Sequence, residues 1–175
     1  MEKGIQKIVI AALSDNGVIG LNNRIPWDIP EDRKRFRSLT LGYPVIMGRN
    51  TFESIYTSLG KPLDRRLNLV LTSSPEYFYE RFNYENVVFC DSLKDAFNAA
   101  KVGQMYSPDR KAFIIGGRQV YEQTLDLADR MELTWVHGIV RGDAFFPETD
   151  YSRWKETARE DFPGFSFASY ERREI

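Results

Sequence analysis

The chain has 175 residues, 42% hydrophobic and 28% charged, with a net charge of -1. That length predicts about one domain, able to bury roughly 70% of its unfolded surface without a staple, and the near-neutral balance gives no whole-chain electrostatic case for nucleic acid or membrane. Cys90 and His137 are the only residues of their kinds, which excludes an intramolecular disulfide and argues against a Cys/His zinc site, so no metal is expected.

Cys90 reads as a core thiol and His137 as a surface imidazole. The opening "MEKGIQK" mixes charges, and the apolar run Ile8 to Leu13 is too short for a signal-peptide core or a membrane span. A cytoplasmic protein is expected.

That run is the first predicted strand, Ile8–Leu13. It leads into "SDNGVIGLNNRIPWDIP", residues 14–30, and a connection of about sixteen residues is usually functional or disordered. Gly17, Gly20, Asn22 and Asn23 tolerate left-handed backbone, while Pro26 and Pro30 restrict it. Apolar Val18, Ile19, Ile25 and Trp27 speak against disorder, so a mobile lid over a site is the favoured reading.

Pro30 suits the first position of a helix predicted over Glu31–Leu41. Asp32 then lies in the first turn, where an acid complements the helix dipole by a few tenths to about 1 kcal/mol. Taken alone, that bland role suffices. Yet at about 100° per residue Asp32 sits within about 40° of Phe36, on the stripe where a cleft-facing acid would stand.

Further strands are predicted at Val45–Met47, Leu67–Leu71, Val87–Phe89, Ala112–Ile115 and Leu133–Val136, with more around Phe165–Tyr170. Helices are predicted at Thr51–Ser58, Leu93–Lys101 and Gln119–Leu125, the second opened by a Ser92/Asp95 capping box. Residues 56–66, 75–86 and 102–111 read as surface loops. The alternation argues for an α/β fold with a largely parallel sheet, one domain over 1–175, and ligands beyond the carboxyl ends of the strands.

Three strand ends carry suitable chemistry. "VIMGRNTFESI" offers Gly48, free helix-start amides and Arg49 for a phosphate. "LTSS" offers Thr72, Ser73 and Ser74, and "FIIGGRQVYEQ" places Gly116 and Gly117 before a helix. Each is weak alone; together they raise the case for a phosphorylated cofactor. G-x-G-x-x-G, G-x-x-x-x-G-K-[ST] and G-x-S-x-G are all absent, so hydrolase and kinase readings lose ground.

In chain order "IAAL", "GVIGLNNRIPWDIPEDRKRF", "PVIMGRNTFESI", "PLDRRLNLVLTS", "IIGGRQVYEQ", "LTWV" and "GDAFFP" resemble the dihydrofolate reductase family, from about Ile8 to Pro147 with a weaker tail. The resemblance implies a mostly parallel central sheet with an antiparallel C-terminal part and about four flanking helices. It also implies NADPH-dependent reduction of 7,8-dihydrofolate to tetrahydrofolate, serving one-carbon metabolism, by hydride delivery to pterin C6 and protonation at N5. The cofactor carries the hydride chemistry and the protein positions the rings.

By the same resemblance Asp32 binds the pterin amino and ring N–H groups and favours N5 protonation through water. Thr134 bonds Asp32 and the pterin amino group, Trp27 holds a water, and Tyr121 lies near the nicotinamide. Ile10, Ala12, Phe36, Ile55, Leu63 and Ile115 form apolar walls. Arg66, preferred to Arg65 by its spacing to Asn68, clamps the substrate's α-carboxylate, with Lys61 a weaker contact. Cofactor contacts carry over to Ala12, Ile19, Gly20, Gly48, Arg49, Asn50, Thr51, Leu71, Thr72, Ser73, Gly116, Gly117, Arg118, Gln119, Val120, Tyr121 and Gln123. A cis Gly116–Gly117 bond is implied, and Gly142 and Asp143 match the loop that steadies the lid. Antifolate inhibitors are implied ligands and a monomer is implied by analogy.

Two departures stand out. The family usually places an apolar residue after the pterin-binding acid, and here it is Arg33. Either its stem packs on the cleft wall with the charge in water, or it attracts the anionic substrate tail and disfavours diaminopyrimidine inhibitors that lack one. Asp91 and Gln119 replace basic residues that some relatives use for the 2′-phosphate, leaving Arg49, Thr72 and Ser73. The rival readings are the riboflavin-pathway reductase, a catalytically silent pterin or nucleotide binder, and a structural partner-binding protein. The Trp27–Asp32 segment and Arg66 favour folate.

Overall fold

A computed structural model describes residues 4–174; the first three residues of the charged N-terminal stretch lie outside that range, as does Ile175. Among the described residues an eight-stranded sheet runs in the order β5-β4-β3-β6-β1-β7-β10-β9. Its strands are β1 (Gln6–Ser14), β3 (Val45–Gly48), β4 (Asn68–Leu71), β5 (Val87–Cys90), β6 (Lys111–Gly116), β7 (Arg130–Val136), β9 (Trp154–Phe162) and β10 (Phe165–Arg172). The β1, β3, β4, β5, β6 and β7 pairings are parallel, and β10 joins β7 and β9 antiparallel. A separate ribbon pairs β2 (Val18–Gly20) with β8 (Ala144–Phe145).

The parallel strands are buried on both faces, as crossover helices require. On one face α1 (Pro30–Thr40), α2 (Arg49–Leu59) and α3 (Pro75–Arg81) cover Ile8, Ile10, Val45, Met47, Val70 and Phe113. On the other, α4 (Leu93–Gly103) and α5 (Arg118–Thr124) cover Val9, Ala11, Ile46, Leu69, Ile114 and Leu133. The strict alternation along β1 follows from the two-residue period of a strand. It places Ile10 and Ala12 on the α1–α2 side.

Local signals set the helix ends. Pro30 is the first residue of α1, behind an extended Ile29. Ser92 caps α4 by accepting from the Asp95 amide at 3.1 Å. Cys90 is a free thiol in the core, and His137 is exposed with its ring bonded to Ser166 Oγ at 2.8 Å.

The expectation of a loop over 75–86 is corrected by α3, a fifth helix beside the four predicted. Pro75 and Glu76 open it, and Phe78 and Phe82 bury one turn apart against Phe89. Four of its seven residues and its neighbour Phe82 have middling or poor helix propensity, so its stability comes from packing. The reading of 56–66 as a loop is also trimmed, since α2 continues through Leu59.

Candidate active site

The site lies at the carboxyl ends of β1 and β7, under α1. β1 pairs with β7 so that Ala12 stands beside Thr134, and α1 crosses above them. Thr134 Oγ1 donates to Asp32 Oδ1 at 2.5 Å. Burial pushes the Asp32 carboxyl above its ordinary range, while the Thr134 bond and the Arg35 charge pull it back. Arg35 is held by Glu132 at 2.6 Å and by the face of Phe167. One half-buried acid thus ends a polar row along β7, one helical turn from Phe36 on α1.

Five of the six expected wall residues lie in one cluster, with Ala12 outside it. Ile10, Leu63, Phe36, Ile55 and Ile115 belong to one apolar cluster on the α1–α2 face. Tyr121, 4% exposed, donates its hydroxyl to the Ile10 carbonyl at 2.8 Å. Burial, and after it the charge of Asp32, pushes that phenol strongly upward, so it remains a donor. The Trp27 indole Nε1 is buried without a hydrogen-bond partner among the described residues. A buried N–H of this kind is costly unless a ligand or water receives it.

At the outer rim Arg66 is 5% exposed, whereas Arg65 is exposed with φ 55°. The spacing argument therefore picked the buried guanidinium. Its Nε donates to the Asp64 carbonyl at 2.9 Å, Nη1 to Thr40 Oγ1 at 3.2 Å and Nη2 to Asp64 Oδ1 at 3.3 Å. Asp64 also holds Arg37, and Lys61 contributes a weaker field there. Arg33 pairs with Asp28 across the rim, both side chains largely exposed. Thr40, Asp64 and Asp28 were not anticipated. Thr40 lies two turns beyond Asp32 on α1, a periodic signal available in the sequence; the other two show only as charges beside arginines.

The three strand ends meet because β3 lies between β4 and β6, with Gly48 beside Leu71 and Met47 beside Gly116. A Cβ at Gly48 would stand 3.3 Å from Val120, one at Gly116 3.2 Å from the Tyr121 hydroxyl, and one at Gly117 3.4 Å from Thr51 Oγ1. These glycines leave a shallow cradle that side chains would fill. The α2 N-terminus behind Gly48 has no side-chain cap, so its amides can receive an anion. Arg49 is exposed beside Asn50, and Thr72 Oγ1 accepts from the Ser74 amide at 3.1 Å beside exposed Ser73. Arg118, Gln119 and Gln123 face outward on α5, with Arg118 tied to Glu122 at 2.8 Å. The Gly116–Gly117 bond is cis.

The segment over the site is anchored at several points. Gly20 O accepts from the Asp143 amide at 3.0 Å and Asp143 Oδ2 from the Asn22 amide at 3.0 Å. Ser54 of α2 donates to the Asn23 carbonyl at 2.8 Å. Ile19 packs against the core below. Gly142 lies so close to Val18 that an added Cβ would fall 2.2 Å from its Cγ1.

With this geometry in hand, known proteins agree. The family model described as dihydrofolate reductase matches residues 7–172. The chain belongs to the dihydrofolate reductase family. It is 38% identical over 173 residues to dihydrofolate reductase HdrB of Haloferax volcanii, covering 99% of this chain and 87% of the relative. It is 38% identical over 162 residues to the type 3 dihydrofolate reductase of Salmonella typhimurium, covering 93% and 91%. Among solved structures it superposes on Enterococcus faecalis dihydrofolate reductase complexed with NADP(H) and RAB-propyl, with a TM-score of 0.80, 28% identity and 97% of each chain covered. Among the described residues no helix is long and apolar enough to cross a membrane, and no cluster of three His, Cys, Asp or Glu is placed to hold a metal.

Proposed function

We propose that this dihydrofolate reductase converts 7,8-dihydrofolate to 5,6,7,8-tetrahydrofolate with NADPH, and that Asp32 is the acid on which the reaction depends. The observation that carries the reading is one half-buried carboxylate, bonded by Thr134 and one helical turn from Phe36 of the apolar cluster on the α1–α2 face. A flat heterocycle with amino and ring N–H donors fits there. Asp32 accepts from those donors and anchors the ring, and Thr134 orients the carboxylate. Ile10, Ala12, Phe36, Ile55, Leu63 and Ile115 exclude water from the ring faces.

When bound, NADPH supplies the hydride that reduces pterin C6. Gly48, Gly116 and Gly117 would admit it to the cradle, with Thr51, Leu71 and Val120 lining it and Ala12, Ile19, Gly20 and Tyr121 nearest the reacting rings. Arg49, Asn50, Thr72 and Ser73 would hold phosphate, and Arg118, Gln119 and Gln123 would flank the ribose-phosphate path. Trp27 Nε1 would hold a water on the Asp32 side, leaving a short route for the proton to N5. Arg66, with Lys61 and Arg33 at the rim, would receive the substrate's carboxylate tail. Residues 14–30 would act as a lid steadied by Gly142 and Asp143. We take the working unit as a cytoplasmic monomer.

Steady-state loss of NADPH absorbance on adding dihydrofolate tests this directly. Turnover with dihydrofolate and none with a pyrimidine ribosyl-phosphate is the expected result. The reverse pattern would assign the protein to riboflavin synthesis, and binding without turnover would make it a silent pterin binder.

A further inference from the structure

The substrate clamp already carries an acid. Asp64 accepts from Arg37 Nη1 at 3.0 Å and Nη2 at 3.4 Å, and from Arg66 Nη2 at 3.3 Å. Guanidinium and carboxylate prefer about 2.7–2.9 Å, so the hold on Arg66 is the loose one and that on Arg37 the firmer. Arg66 has five N–H donors, and three have partners in Asp64 and Thr40. A carboxylate docking on both Nη nitrogens would arrive beside the Asp64 carboxylate. Asp64 is held low, at about 2, chiefly by its bond to Arg37, so it is charged throughout the working pH range.

Resting on the reading of Arg66 as the tail clamp, we propose that Asp64 is a specificity-determining residue. It competes with the α-carboxylate of a glutamate-bearing pterin for Arg66 and so narrows the preference for such ligands over tail-less ones. Arg37 moderates the competition by drawing Asp64 toward itself. In the bound state Asp64 keeps Arg37, and the incoming carboxylate takes the Nη donors of Arg66. A merely structural Asp64, holding Arg66 in place, would act in the opposite sense, since its loss would loosen the clamp.

The sign of one substitution therefore decides. Equilibrium dissociation constants are measured on the full chain with folate, which has the tail, and trimethoprim, which has no carboxylate. Asp64→Asn is expected to tighten folate by about threefold to fivefold, the scale of one half-exposed charge interaction, and to leave trimethoprim within twofold. The folate gain should shrink in high salt. Arg37→Gln is expected to weaken folate, and to do so far less in the Asp64→Asn background, because its effect runs through Asp64. Unchanged or weaker folate binding in Asp64→Asn, or equal shifts for both ligands, would overturn the proposal. Arg66→Gln separates the two levels: if it leaves folate binding unchanged, the clamp reading itself is wrong. If it weakens folate while Asp64→Asn does not strengthen it, only the role of Asp64 falls.

Discussion

Asp32 joins stability to function in a way that can be measured. Its carboxyl is raised by burial, with Thr134 and Arg35 opposing. A folded-state value above the unfolded one means the ionised acid costs stability, a cost present above the folded value and absent below the unfolded one. Asp32→Asn should therefore have a higher Tm than the natural protein at neutral pH, with the gap closing as pH falls through the carboxylate range. Thermal melts at several pH values check this, and a gap that widens in acid would contradict it. Arg33 makes a second residue-scale case. Its bond to Asp28 holds the charge at the exposed rim, and Arg33→Leu should tighten trimethoprim by up to about fivefold. Equal inhibition constants would show that the arginine is only solvated surface. Neither role was legible in local pattern. Asp32 alone reads as a helix-dipole acid; its order among the other motifs suggested a ligand-facing role, and the structure adds the Thr134 bond.

At the level of elements, the buried strands and the other four helical patterns were legible because apolar runs and turn residues bound them. The sequence hid what tertiary contact supplies. α3 is a short, aromatic-rich helix held by Phe78 and Phe82, and β9 is an exposed edge strand of mostly charged and polar residues with no apolar alternation. Such polarity is how an edge avoids pairing with another sheet. The β2–β8 ribbon was hidden too, inside a segment that reads as loop. Its close point is Gly142, where a Cβ would meet Val18 at 2.2 Å and the Gly20 carbonyl at 2.7 Å. Gly142→Ala should cost about 1–3 kcal/mol of local packing. Hydrogen exchange over residues 17–23 should quicken, turnover should fall, and the Tm should drop by several degrees. Unaltered exchange there would separate Gly142 from the lid.

For the whole molecule, the register of a single sheet brings three distant strand ends into one cradle and sets the acid of α1 at its edge. On the proposed reading, phosphate recognition would rest on few groups: Arg49 with the Thr72 and Ser73 hydroxyls. One charge-assisted bond is worth about 1.5–3 kcal/mol, so Arg49→Gln should lower kcat/KM for NADPH about tenfold to a hundredfold and leave NADH nearly unchanged. Equal losses with both cofactors would place the 2′-phosphate elsewhere. The central claim, that Asp32 is the acid of an NADPH-dependent dihydrofolate reductase, is tested most directly by kcat/KM for dihydrofolate in the natural protein and in Asp32→Asn. NADPH affinity is checked separately in both. A fall of about a hundredfold or more, the scale of a lost acid–base group, with NADPH binding retained, is the predicted result. Activity within threefold of the natural protein would contradict the account.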